Sequence, residues 1–266
     1  MQFSTLHRRR ITAASPPHHR FNGQAVVVTL ATDVNAPNYR LVLLDLDHTL
    51  LDSDASEARA FAQTMSLAGI SEPSRHFATY DQINRALWAA VERGEVSPQH
   101  VRIARFEQFA AATGLDLDPA AMAESFVAGL GMHGDLYPGA RDALATLAER
   151  VSLALVTNGL SEVQRTRLER LDLAEFFDAV IISSEVGVSK PAPGIFDIAF
   201  QHLGTDDRTS ALMVGDSLSS DIRGGLNAGI ATCWFNPHGH QPGVHDRFDH
   251  QIGSIGELPT VVFGSA

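Results

Sequence analysis

The chain has 266 residues, 44% of them hydrophobic, and a formal net charge of -11. That length allows one large α/β domain or a core with a smaller module, and the acidity argues against nucleic acid as the main partner. No apolar run approaches the roughly 20 residues of a membrane span, and the single cysteine, Cys233, excludes an intrachain disulfide or a cysteine-built zinc cluster and fits a reducing cytosol.

Residues 1–39 differ from the rest: Arg8, Arg9, Arg10 and Arg20 stand against one acid, Asp33. This composition predicts a flexible extension, with an organelle-targeting segment as the alternative, and Val26 to Leu30 reads as a short extra strand. Then Leu41 to Leu44, four aliphatic residues in a row, predict a buried parallel strand. Asp45 and Asp47 follow where that strand should end. Residues i and i+2 of a strand share a side, so both carboxylates leave the carboxyl end together, where open α/β sheets bind ligands. Carboxylates this close repel unless a cation or a shared proton intervenes. A metal is implied, with one carboxylate as nucleophile or ligand and the other as acid/base. The plain alternative is a strand end whose aspartates cap the next turn.

From Ser56 to Leu130 the apolar spacing is helical: Ser56 to Ala68, Tyr80 to Arg93, Pro98 to Thr113 and Pro119 to Leu130. Ser97-Pro98 and Asp118-Pro119 are helix starts, and Gly69, Gly94 and Gly114 fall at helix stops. With no strand among them, these helices predict an all-α insert over 54–133. The rhythm changes at Tyr137-Pro138-Gly139. Helices Ala140 to Arg150, Ser161 to Leu171, Pro193 to Leu203 and Ser220 to Ala228 alternate with strands Val151 to Val156, Ala179 to Ser183, Ala211 to Val214 and Thr232 to Phe235. That alternation predicts a doubly wound parallel sheet, α/β in class, built from 40–53 and 134–266. Its first strand ends at Asp45, so the insert follows the first strand and can sit over the sheet edge.

Three further strand ends carry chemistry. Thr157-Asn158-Gly159 offers a hydroxyl, an amide and close backbone approach, all suited to a phosphoryl oxygen, although a helix cap and turn would use the same residues. Pro191 holds Lys190 extended, and a lysine in such a loop can neutralise phosphate, although most lone lysines are simply solvated. Asp216 and Asp221 add two carboxylates to the same edge. With Asp45 and the Asp47 backbone carbonyl they form an oxygen-rich set of the kind Mg²⁺ prefers. His238, His240, His245 and His250 lie in a Gly/Pro-containing stretch that reads as a polar loop.

The joint pattern resembles the haloacid dehalogenase-like hydrolase superfamily: a first-strand Asp-x-Asp-x-Thr at Asp45, a strand-end Thr157, Lys190, and the acidic pair Asp216 and Asp221. The resemblance covers roughly Leu41 to the C-terminus and implies a Rossmann-like core with a helical cap. It implies Asp45 as the nucleophile forming an aspartyl-phosphate and Asp47 as general acid/base. Thr157, Asn158 and Lys190 would hold the phosphoryl group. Mg²⁺, with Mn²⁺ as the alternative, would sit on Asp45, Asp47 (through its carbonyl), Asp216 and Asp221. Dehalogenases of the superfamily expel a halide, need no proton or metal, and lack the second aspartate. Retention of Asp47 and the acidic pair therefore favours a phosphatase over a dehalogenase.

Within the cap, Asn84-Arg85-Ala86-Leu87-Trp88, Gly94-Glu95-Val96-Ser97 and Arg105-Phe106-Glu107 are similar to the house-cleaning pyrimidine 5′-nucleotidase family. So are Arg167-Leu168-Glu169-Arg170, Ser184 to Pro191 and Ala231 to Trp234. The resemblance implies a cytoplasmic hydrolase of pyrimidine nucleoside monophosphates, monomeric or a small homo-oligomer. Trp88 and Phe106 are expected to flank the base, with Asn84 or Arg105 in polar contact, unless Trp88 and Phe106 are simply bundle core. His48 departs from relatives that often carry an acid there. A phosphoglycolate or sugar-phosphate phosphatase is the main rival, and a non-catalytic binding protein on the same fold is disfavoured by the complete set of catalytic residue types.

Overall fold

The computed structural model describes residues 37–264. The expectations for 1–36, the extension and its short strand at Val26 to Leu30, lie outside the described residues. Among the described residues six parallel strands form one sheet: β1 (Leu41–Leu44), β2 (Ser152–Thr157), β3 (Ala179–Ile182), β4 (Ala211–Gly215), β5 (Ala231–Phe235) and β6 (His250–Ile252), in the order β3-β2-β1-β4-β5-β6. β1 lies centrally, with Leu41 opposite both Ser152 and Ala211.

Every residue of β1 is buried, because successive side chains feed opposite layers. Leu41 and Leu43 join Ile195, Phe196 and Ala199 of α8 (Gly194–Leu203). Val42 and Leu44 join Leu144 and Leu147 of α5 (Ala140–Ala148) and Leu258 and Val262 of α10 (Leu258–Phe263). The remaining core helices are α6 (Ser161–Arg170), the single-turn α7 (Ser183–Val186) and α9 (Arg223–Ala228). Helices on both faces make the sheet doubly wound, as the strand–helix alternation requires.

Between β1 and β2 lies the helical cap, α1 (Ser53–Leu67), α2 (Ser74–Glu92), α3 (Pro98–Thr113) and α4 (Pro119–Met132). The starts follow the capping chemistry. The Ser97 hydroxyl accepts from His100 N–H, and the Asp118 carboxylate accepts from Ala120 and Ala121 N–H. Gly114 ends α3 at φ 69, a left-handed conformation that costs glycine nothing. Phe61, Tyr80, Phe106, Phe109 and Phe126 form the cap's buried aromatic core. The chain enters and leaves the cap through one paired neck: Asp52 N–H donates to Asp135 O at 3.0 Å, Tyr137 N–H to Leu50 O at 2.9 Å, and Leu51 bridges Leu136 antiparallel.

Two expectations are corrected. The helix expected from Ser220 begins instead as a wide π turn over Leu218–Ile222 and becomes α-helical only at Arg223. Residues from 236 are not all loop, since β6 extends the sheet from His250 and α10 closes one face.

Candidate active site

Asp45, Thr157 and Asp216 directly follow or end the three adjacent strands β1, β2 and β4, so the fold brings them to one edge. Lys190, on the loop before α8, is almost fully buried there. Its ammonium donates to Asp45 Oδ1 at 2.7 Å and to Val156 O at 2.7 Å, and pairs with Asp221 Oδ1 at 2.7 Å. Burial alone would strip its proton, but Asp221 and Asp45 hold it above the usual lysine range. The "solvated lysine" alternative is therefore excluded. Asn158 explains how Lys190 is held. Its amide donates to Lys190 O and its carbonyl accepts from Lys190 N–H, both at 2.9 Å. Both ends of the Asn158 side chain are thus spent on the lysine loop rather than offered to a phosphoryl oxygen.

Asp45, Asp216 and Asp221 place carboxylate oxygens within 4.8 Å of one another. Burial, with Asp221 and Asp47 beside it, pushes the Asp45 carboxyl up to about 7 against the opposing pull of Lys190. Burial and the neighbouring Asp221 push Asp216 up to about 8. The Thr49 hydroxyl donates to Asp216 Oδ1 at 3.3 Å and accepts from Asp216 N–H at 3.1 Å, and Trp234 Nε1 donates to Asp216 O at 2.8 Å. A compact, all-oxygen, carboxylate-rich set is the donor chemistry of a hard divalent cation. Asp221 is seated by an absence: a Cβ on Gly215 would lie 2.1 Å from Asp221 Oδ2, so only glycine admits it. The same oxygen accepts from Ser217 N–H at 3.0 Å.

The Asp47 side chain does not join the cluster. Oδ1 accepts from Ser53 Oγ at 2.5 Å and Arg167 Nη1 at 2.5 Å, and Oδ2 accepts from Gln164 Nε2 at 2.6 Å. Burial would raise its carboxyl, but Arg167 and these donors outweigh burial and hold it at about 2. Gln164 also donates to Thr157 Oγ1 at 3.0 Å, so Thr157 is buried and engaged. Sequence reasoning gave Ser53, Thr49 and Gln164 no role and named Arg167 only within a family-like run. A signal existed on α6: Gln164 and Arg167 are polar at i and i+3, the spacing of a buried helix face.

A cavity of about 450 Å³ runs from this edge to the cap. Trp88, Asn84 and Arg105 line it. Phe106 does not. It is fully buried, 5.9 Å from Tyr80 and 5.5 Å from Phe126 between ring centroids. The bundle core claims Phe106 because its helical position faces α4 rather than the sheet edge. Arg105 is also held inside, donating through Nε to Val101 O at 3.0 Å and through Nη1 to Tyr80 OH at 3.3 Å. Glu57 lines the cavity too, and both its oxygens accept from Asn84 Nδ2, at 3.1 and 3.2 Å. Glu92, ending α2, accepts from Ser219 Oγ at 2.8 Å and so ties the cap to the loop after β4. His48, at φ 56, lines the cavity beside Asp54. Burial would lower its imidazole, but Asp216, Asp47 and Asp54 hold it above the usual histidine range.

A central strand ending in a buried aspartate, a buried lysine, an acidic trio and a helical cap define one class. The profile of the haloacid dehalogenase-like hydrolases matches residues 39–229, and the chain belongs to that family. It is 36% identical over 198 residues to pyrimidine 5′-nucleotidase YjjG of Escherichia coli, covering 74% of this chain and 86% of that one. It is 36% identical over 201 residues to pyrimidine 5′-nucleotidase PynA of Streptococcus pneumoniae, covering 75% and 85%. The magnesium-bound crystal structure of the HAD-hydrolase YfnB from Bacillus subtilis superposes with a TM-score of 0.78 at 32% identity, covering 84% of this chain and 98% of that one.

Proposed function

We propose that this protein is a Mg²⁺-dependent phosphatase of pyrimidine nucleoside 5′-monophosphates, working in the cytoplasm through an aspartyl-phosphate on Asp45. The observation that carries the reading is Asp45 itself, at the end of the central strand, paired at 2.7 Å with a buried lysine and facing a capped cavity. The 36% identity to two pyrimidine 5′-nucleotidases supports the substrate class.

Asp45, Asp216 and Asp221, with the Asp47 backbone carbonyl, would hold Mg²⁺. The ion would neutralise phosphoryl oxygens and favour the ionised form of the carboxylates. The Asp45 carboxylate oxygen attacks phosphorus, and the bond from phosphorus to the nucleoside oxygen breaks. That oxygen takes a proton from Asp47 as it leaves. Water then attacks phosphorus, Asp47 receives its proton, and Asp45 is freed with inorganic phosphate. General acid/base help of this kind contributes about 10²–10⁴-fold. Asp47 in contact with Arg167, Ser53 and Gln164 is ionised, which is the form needed to accept the water's proton; the proton it gives the leaving oxygen in the first step enters with the substrate, whose phosphate has a second pKa of about 6. Lys190 and Thr157 offset the phosphoryl charge, and Asn158 fixes the Lys190 backbone.

The test is phosphate release with Mg²⁺ from UMP, dUMP, dTMP, CMP, AMP, 2-phosphoglycolate and a sugar phosphate. Preference for pyrimidine nucleotides, abolished by Asp45→Asn, is the expected outcome. Preference for 2-phosphoglycolate or the sugar phosphate would keep the chemistry and replace the substrate.

A further inference from the structure

The cap end of the cavity is acidic. Asp54, Glu57, Asp81 and Glu92 line it, against two guanidiniums, Arg85 and Arg105. Three of these carboxylates are already engaged. Arg85 binds Asp81 at 2.8 Å and approaches Asp54 at 3.8 Å, and Glu92 is held by Ser217 and Ser219. Glu57 differs. Among the described residues no cation forms an ion pair with it, and its hydrogen bonds come from one amide group, that of Asn84. A carboxylate has about four lone-pair sites, so acceptor capacity remains on the cavity side. Asn84 is itself buried, and its Oδ1 has no hydrogen-bond partner, so its amide is turned to serve Glu57 at the expense of its own oxygen. The reverse orientation would set Oδ1 against the carboxylate. Glu57 therefore stands in the cavity as a fixed acceptor, with the half-buried Trp88 on the next helix along.

We infer that Glu57, oriented by Asn84, is the residue that selects the leaving group: it accepts a hydrogen bond from a ring N–H of the nucleobase and repels leaving groups that carry a second negative charge. This rests on the pyrimidine nucleotidase reading above and deepens it. A uracil or thymine ring offers such an N–H beside its carbonyls. A carboxylate-bearing ester such as 2-phosphoglycolate would bring its charge into a cavity that already holds an excess of acids. A site built for an N–H donor rejects analogues lacking it, because the buried acceptor is then left unpaired.

The experiment compares kcat/KM for UMP, N3-methyl-UMP and 2-phosphoglycolate in the full chain and in Glu57→Gln, with circular dichroism confirming that the variant is folded. For the unaltered protein, UMP is expected to exceed N3-methyl-UMP by at least about tenfold. Glu57→Gln is expected to lower the ratio of UMP to 2-phosphoglycolate by at least about tenfold, through KM for UMP and a gain for 2-phosphoglycolate. Equal use of UMP and N3-methyl-UMP by the unaltered protein overturns the inference, as does an unchanged ratio in the variant. Preference of the unaltered protein for 2-phosphoglycolate over UMP would instead overturn the underlying substrate reading. If Glu57→Gln does not fold, the N3-methyl comparison decides alone.

Discussion

Lys190 shows how one side chain can hold a site together. It is buried between two carboxylates that repel each other, and its removal leaves both desolvated charges without compensation. Breaking a buried pair from one side costs about 3–5 kcal/mol. Lys190→Met should therefore lower the melting temperature by on the order of 10 °C for a domain of this size, and saturating Mg²⁺ should recover part of the loss. A variant melting with the parent protein would mean the ammonium contributes nothing net. The identity of this lysine was legible in the sequence, since it follows a strand–helix rhythm and precedes proline. Its partners were not. Asp221 reaches it only because Gly215 has no side chain, and periodicity carries no information about that vacancy.

At the scale of helices, α2 and α3 present different faces to different neighbours, and this separates two aromatic residues that sequence reasoning had joined. Trp88 lines the cavity, whereas Phe106 packs on Tyr80 and Phe126. Phe106→Ala should cost about 3–5 kcal/mol of stability, read in chemical denaturation, with KM for UMP held near the parent value. Trp88→Ala should raise KM for UMP more than for a small phosphate ester, with a smaller loss of stability. If the two variants traded these signatures, the assignment of faces would be wrong. The helices themselves were legible: Pro98 to Thr113 matches α3 end to end, because Ser97, Pro98 and Gly114 state its limits chemically. Three-residue β6 and six-residue α10 were not legible, being too short for a period to emerge. Which face of a cap helix meets the ligand and which meets its neighbours is set by the packing of four helices together, so Phe106 could not be told from Trp88 by spacing.

Across the molecule, the acidic cluster couples stability to pH and to metal. Asp45 at about 7 and Asp216 at about 8 both bind protons above the ordinary 3.8. Between about pH 4 and pH 8 the folded protein retains protons that the unfolded chain has released, so metal-free stability from these groups falls as pH rises through that window. A divalent cation held at the proposed site would take the place of those protons and stabilise the folded state. The melting-temperature gain on adding Mg²⁺ should therefore be larger at pH 8 than at pH 5. Equal gains at both would show that the carboxylates titrate independently of the ion site. No helix among the described residues is long and apolar enough to cross a membrane.

The neck between β1 and α5 has a consequence for recombination. Entry and exit strands are stitched by Asp52 to Asp135, Leu50 to Tyr137 and the Leu51–Leu136 bridge, so the cap's two ends emerge side by side. A segment with adjoining ends can be exchanged as a single cassette without moving the termini of its host. Asp45, the lysine and the rest of the acidic trio all stay on the host's side of that junction, while Glu57, Asn84 and Trp88 travel with the cassette. On the proposed reading, chemistry and choice of leaving group would be encoded in separable stretches of one chain.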